Sequence, residues 1–201
     1  MKLQDFLKAI GACEKARAWA RNKTFKEAYT ECKRGDWLLW LYGKLCSDFS
    51  THPKEVRKRV LIAGLVANLV RDKMTDERSV AAVDAAIAFG NGEIGIDSLN
   101  KAANAAYAVT NFVYTVKSTK ADNAAINAAY AAVYATYAAN AVTYAAYAAS
   151  NAAYVLDAAT YAKSAEYFRA YVSFDEFILL ANNKQQTTNY AIRNPKTMVK
   201  R

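Results

Sequence analysis

From Asp122 to Lys163 the chain reads DNAAINAAYAAVYATYAANAVTYAAYAASNAAYVLDAATYAK, and nearly every position is Ala, Tyr or Asn. Its larger side chains, Asn123, Asn127, Tyr130, Tyr134, Tyr137, Asn140, Tyr144, Tyr147, Asn151, Tyr154, Asp157 and Tyr161, follow one another at steps of three and four. That spacing is one face of an α-helix, and alanine is the strongest helix former. The pattern starts earlier, at Asn104, Tyr107, Asn111 and Tyr114. A single straight rod of this length would exceed about 55 Å at a rise of about 1.5 Å per residue, too long for a chain of this size. A break is therefore expected, near Ser150-Asn151 or near Asn140.

The rest of the chain also reads as helix. Leu3, Phe6, Leu7 and Ile10 share one face of a first helix, which Gly11 ends or bends, and a second helix covers Cys13 to Arg21. Thr24-Phe25-Lys26-Glu27 has the form of a capping box. Lys33-Arg34-Gly35 reads as a turn and Asp36 as the cap of the apolar helix WLLWLYGKL. Pro53 suits a first helical position, and the helix it opens is basic at Arg57-Lys58-Arg59 and aliphatic beyond. Thr75 or Asp76 caps a helix that Gly90-Asn91-Gly92 ends, and a further helix follows Gly95 and Asp97. Ser173-Phe174-Asp175-Glu176 opens the last one, FDEFILLAN. With no strand pattern, the expected fold is all-α: a compact multi-helix bundle of closely packed Ala-rich helices with a Tyr/Asn stripe. A single helical domain is expected over 1–182, with basic, Trp-containing helices over 1–78, Ala/Tyr-rich helices over 79–182, and a polar basic tail over 183–201.

The 201 residues carry a formal charge of +9, which favours acidic partners without naming one. Three cysteines (Cys13, Cys32, Cys46) without a CxxC pair, and one histidine (His52), do not make a zinc site; buried reduced thiols are expected. MKLQDFLKAI has charge inside its apolar pattern and does not read as a signal peptide. The longest apolar run, Val60 to Val70, is too short to span a bilayer. A cytoplasmic protein without membrane association is expected.

Chemistry is sparse. A lone His52 beside Pro53 leaves most Cys/His and Ser/His/Asp nucleophile systems without a base. No Walker loop is present, and Gly90-Asn91-Gly92-Glu93-Ile94-Gly95 lacks the preceding strand that a dinucleotide fingerprint needs. No catalytic residue, metal ligand or cofactor is expected. Two candidate binding features remain. Around ECKRGDWLLWL, Arg34, Asp36 at a helix start, Trp37 and Trp40 could rim an anion site, with Arg57 adding positive charge; the alternative is a turn glycine, a capping aspartate and core tryptophans. Along the stripe, Asn127, Tyr130, Tyr134 and Tyr137 could wall a nucleotide pocket; the alternative is that tyrosines fill space between Ala-faced helices with their hydroxyls at the edges.

The segments ACEKARAWA and FKEAYTECKRGDWLLWLYGKL, followed by Ala-rich helices of the AAYAAY kind, resemble the immunity protein family with the immunity-five-like domain of bacteria and their phages. The resemblance rests on the first helices and on Gly35-Asp36-Trp37-Leu38-Leu39-Trp40-Leu41. It implies a small helical protein of biological conflict that neutralises by binding, and it carries over no catalytic residue. Two modes follow: sequestration of an anionic, nucleotide-type signal, the favoured one, or masking of a toxin or defence effector protein. A homo-oligomer is expected. Nucleic acid is disfavoured, because the basic residues are not interleaved with the tyrosines.

Overall fold

The computed structural model of the protein describes residues 2–46, 50–114, 120–139 and 144–193. Eleven α-helices and no strand occur among the described residues. The chain forms two compact units, one of Lys33–Tyr171 and one of the residues up to Cys32 with those from Val172 onward.

The larger unit holds α4 (Gly35–Leu45), α5 (Pro53–Asn68), α6 (Glu77–Asn91), α7 (Ile96–Tyr114), α8 (Lys120–Tyr137), α9 (Tyr144–Val155) and α10 (Ala159–Tyr171), with a 3-10 turn at Arg71–Lys73. α5 lies at its centre, packed against α4, α6, α8, α9 and α10, and α8 packs against α5, α6, α7 and α9. The core of the stripe is alanine: Ala128, Ala131, Ala132 and Ala135 on α8 and Ala145, Ala148, Ala149 and Ala152 on α9 are buried. With only methyl groups between them, the helix axes approach closely. Glycine carries the approach further at two crossings. A Cβ on Gly90 would sit 2.4 Å from Leu61 Cβ and 2.8 Å from Leu61 Cα, and one on Gly35 would sit 2.3 Å from Ser164 Cβ. Gly35 is therefore the first residue of α4 and a packing contact, where a turn is expected from sequence.

Arg59 on α5 is wholly buried. Its Nε donates to Ala138 O at 2.8 Å and its Nη1 to Cys46 O at 2.8 Å. Those carbonyls stand just past the carboxyl ends of α8 and α4, where a helix dipole presents about half a negative charge. Two converging helix ends thus offset part of the guanidinium's charge without a carboxylate, and Nη2 is left without a hydrogen-bond partner. Burial pushes its pKa below the ordinary arginine range, yet a guanidinium keeps its proton in a protein.

Local signals in the sequence match the elements that form. Thr24 and Glu27 make the reciprocal capping box at the start of α3 (Phe25–Glu31). Pro53 is the first residue of α5, and Asp76 accepts from the Arg78 N–H to cap α6. Gly11, in the left-handed region (φ 82°), follows the end of α1 (Leu3–Ala9). The long stripe breaks twice, after Tyr137 and again at Leu156 to Ala158; Ser150 and Asn151 lie inside α9, and Asn140 falls outside the described residues. The Asp36 cap is not formed: Arg34 takes the N-cap position, and the Asp36 carboxylate turns to its guanidinium.

The other unit comprises α1, α2 (Glu14–Trp19), α3 and α11 (Phe174–Arg193). Phe6 meets Phe25 with ring centroids 5.6 Å apart. Tyr29 joins the two chain segments: its hydroxyl donates to Val172 O at 2.6 Å, and its ring touches Phe174 and Phe177. Ser173 Oγ accepts from the Glu176 N–H to open α11, which continues as helix to Arg193, so the first part of the polar segment after Asn182 is helical.

Two stability predictions follow from the close crossings and the buried guanidinium. Gly90→Ala overpacks the α5–α6 crossing against backbone, and equilibrium denaturation should show a loss of about 1–3 kcal/mol. Arg59→Met removes two charge-assisted hydrogen bonds and leaves two buried carbonyls without donors; a loss of about 3 kcal/mol or more is expected, and Arg59→Met as stable as the wild type would disprove the clamp.

Candidate functional site

Because alanine faces inward on α8 and α9, the other face of each helix carries the tyrosines to the surface. Rings from three helices join there: Tyr107 on α7, Tyr130, Tyr134 and Tyr137 on α8, and Tyr144 and Tyr147 on α9. Tyr134 is the hub, nearly parallel to Tyr130 (5.8 Å, 19°) and to Tyr144 (5.6 Å, 14°) and tilted against Tyr147 (5.4 Å). Tyr137 touches Tyr144 at 5.5 Å and Tyr107 at 6.3 Å. Tyr130, Tyr134, Tyr137 and Tyr144 are half-buried, whereas Tyr107 and Tyr147 are 47% and 48% exposed, and Tyr154, two steps further along the stripe, is 75% exposed. No charged residue occurs between Lys101 and Lys117 or between Asp122 and Asp157. The face is aromatic and hydroxylated, and the stretches that carry it are free of charge.

Two asparagines of the stripe are turned to another use. Asn127 Nδ2 donates to Asn123 O at 2.9 Å and Asn151 Nδ2 to Tyr147 O at 2.9 Å, each four residues back on its own helix. The amide expected to read a base edge is in this arrangement tied to its own backbone.

The basic candidates are also engaged. Arg34 forks onto Asp36 (Nε to Oδ1 2.8 Å, Nη2 to Oδ2 2.6 Å). Its guanidinium lies 4.7 Å from the Trp37 ring centroid and 4.2 Å from that of Tyr161. Asp36 is buried and Arg34 partly so. A phosphate at Arg34 would have to displace a buried carboxylate from a bidentate pair, so the anion site expected from Arg34, Asp36 and Trp37 is instead a closed ion pair between aromatic rings. Trp40, one turn on, is covered by Lys44 at 5.4 Å. Arg57 donates to the carbonyls of Phe89 and Ile94 and lies over the Phe89 ring, which puts its charge at the carboxyl end of α6. Arg34, Asp36 and Trp37 thus form one local group with Tyr161, Tyr130, Tyr134 and Tyr137 belong to another, and Arg57 serves a helix end.

Sequence reasoning missed the part taken by Tyr161 and the burial of Arg59. A signal existed for Arg59: it shares the register of Val56, Ala63, Val66 and Val70, all fully buried. Reading Arg57-Lys58-Arg59 as one basic patch concealed that.

His52 sits at the N-cap position of α5 with Nδ1 in a 2.8 Å hydrogen bond with the Thr51 hydroxyl. Cys32 and Cys46 are buried, but Cys13 is exposed, contrary to the expectation of three buried thiols. Among the described residues no three His, Cys, Asp or Glu side chains group as metal ligands would, and no helix is long and apolar enough to cross a membrane. No family model, curated protein or solved structure matches the chain.

Burial, reinforced by the neighbouring rings, raises the pKa of Tyr134 and Tyr137 above the ordinary value near 10.0. A raised value in the folded state favours the neutral phenol. Its contribution to stability is complete below the unfolded value and is lost as pH rises through the folded one. Absorbance titration should therefore show Tyr134 and Tyr137 ionising above the ordinary value, and Tyr134→Phe should lose less stability than the wild type above about pH 10. A single transition at the ordinary value would contradict this.

Proposed function

We propose that this protein is a non-catalytic binding protein that masks a partner protein with the tyrosine face of α7, α8 and α9. One observation carries the reading: three helices bring a connected group of tyrosines to the surface, and the stretches that carry them, 102–116 and 123–156, contain no charged residue. Tyrosine is enriched and charge depleted at the centres of protein interfaces, and truncating a central tyrosine often removes a large share of binding energy. Nucleotide sequestration, the mode favoured by composition, has less support, since the stripe supplies no cation for a phosphate and Arg34 and Arg57 are held by protein partners. In line with the resemblance to immunity proteins of bacteria and phages, the partner is a toxin or a defence effector and the setting is the cytoplasm. Neutralisation then needs occupancy only.

A photo-crosslinking side chain placed at Tyr147 or Tyr107 in cells tests this. The expected result is one heterologous protein captured at both positions, with capture reduced at least tenfold by Tyr134→Asp. Circular dichroism checks that Tyr134→Asp remains folded; if it does not, Tyr154→Asp at the more exposed end of the stripe takes its place. Capture of a second copy alone would reassign the face to a homo-oligomer contact. Native mass spectrometry showing an unmodified nucleotide retained in stoichiometric amount would restore the sequestration reading.

A further inference from the structure

Five half-buried rings of this protein are covered by a cation of the same chain. Lys23 Nζ lies 5.1 Å from the ring centroid of Trp19, Lys44 Nζ 5.4 Å from that of Trp40 and Lys163 Nζ 5.4 Å from that of Tyr167. The Arg34 guanidinium lies 4.7 Å from Trp37 and 4.2 Å from Tyr161. Except at Tyr161, the cation stands three or four residues from its ring. The tyrosine face has no such cover. Among the described residues no cation lies over Tyr107, Tyr134, Tyr137, Tyr144 or Tyr147. The positions three and four residues to either side of each of these tyrosines are uncharged, so their own helices have none to offer.

We propose that the partner meets the tyrosine face with arginine side chains; this names the chemistry of the partner assigned above and rests on that reading. The face of a phenol ring is electron-rich and attracts a cation within about 6 Å of its centroid, and the phenol oxygen accepts a hydrogen bond. A guanidinium serves both groups at once, since its plane stacks on a ring while its N–H groups reach outward. It is also more weakly hydrated than an ammonium and gives up less on leaving water. Arginine and tyrosine are both enriched among the residues that dominate binding, and such residues tend to pair across an interface. Tyr107 and Tyr147, exposed at the flanks of the stack, are the rings open to this contact. The formal charge of +9 favours acidic partners at long range. That field is screened over about 8 Å at physiological ionic strength, and the stretches that carry the rings hold no charge of either sign to compete at contact. The inference therefore concerns the side chains at the contact and not the partner's total charge.

Tyrosine-ring NMR of the full chain tests this, with the peptide acetyl-Gly-Arg-Gly-Arg-Gly-amide and its lysine and citrulline counterparts titrated at about 0.15 M salt. Citrulline keeps the plane of the arginine head and loses its charge. Saturable shifts at Tyr107 and Tyr147 are expected with the arginine peptide, at least threefold tighter than with the lysine peptide and at least fivefold tighter than with the citrulline one. Tyr147→Phe keeps the ring and should bind within about twofold of the wild type, whereas Tyr147→Leu keeps only apolar bulk and should weaken the arginine peptide at least threefold. Circular dichroism checks the fold of Tyr147→Leu; if it is lost, Tyr107→Leu takes its place with the same expectation. Equal binding of the arginine and citrulline peptides would overturn the inference. So would shifts confined to acidic side chains, or a leucine variant that binds as tightly as the wild type. The crosslinking described above separates this outcome from the fate of masking itself. A captured partner whose crosslinked peptide lacks arginine overturns this inference and leaves masking in place. No captured partner, with the arginine peptide still bound at Tyr107 and Tyr147, overturns masking and leaves the preference for arginine standing.

Discussion

The close approach of helices in the Lys33–Tyr171 unit governs much of what this chain can place elsewhere. Gly90 lies against the backbone of Leu61, and Gly35 against Ser164. Alanines fill the contact between α8 and α9. At such separations no large side chain fits between the axes, so the bulk that other helical proteins bury has to leave the interface. On α8 and α9 it leaves as tyrosine. A phenol suits that position, because its ring can cover the seam between neighbouring helices while its hydroxyl stays in water. The aromatic face is thus a consequence of the methyl-lined interior as well as a feature in its own right.

The same compaction changes what positive charge does. Arg59 enters the interior because two helix carboxyl ends meet where its side chain reaches, and their carbonyls accept from it. Arg57 stands at the end of α6, and Arg34 is locked to Asp36 between two rings. In this unit, arginines that read as a basic surface act as fasteners. A buried guanidinium nitrogen is left without an acceptor in each unit, Nη2 of Arg59 in this one and Nε of Arg17 in the unit containing the termini. Net charge therefore gives a poor measure of where an anion would bind.

This distinction explains how much was legible in the sequence. Helix positions, the Thr24–Glu27 box, Pro53 and a cap at Thr75 or Asp76 were readable because each depends on neighbours within a few residues. The all-α class and the Tyr/Asn periodicity were readable for the same reason. The second break, at Leu156 to Ala158, carries no Gly or Pro and escaped notice. Asp36 carries a strong local preference to cap, and a partner two residues away outcompeted it. For the candidate site, the membership of Tyr130, Tyr134 and Tyr137 in one stripe was visible, but their union with Tyr107 on α7 required knowing which helices pack. The fate of Arg34, Arg57 and Arg59 was hidden because each is decided by carbonyls or rings on distant elements, except for the buried register of Arg59.

Exposure separates two kinds of tyrosine on the face. Tyr130, Tyr134, Tyr137 and Tyr144 are half-buried and in mutual contact, which is what covering an alanine seam requires. Tyr107, Tyr147 and Tyr154 keep between 47% and 75% of their surface in solvent, and a roof gains little from area it leaves wet. At such positions a lysine or glutamate would cover the helix nearly as well through its methylene stem and would favour solubility. None of the three is charged, and neither are the helical turns around them. Single exposed aromatics need no explanation, but three flanking a stacked group with no intervening charge form the kind of surface that remains favourable only when something of matching polarity covers it.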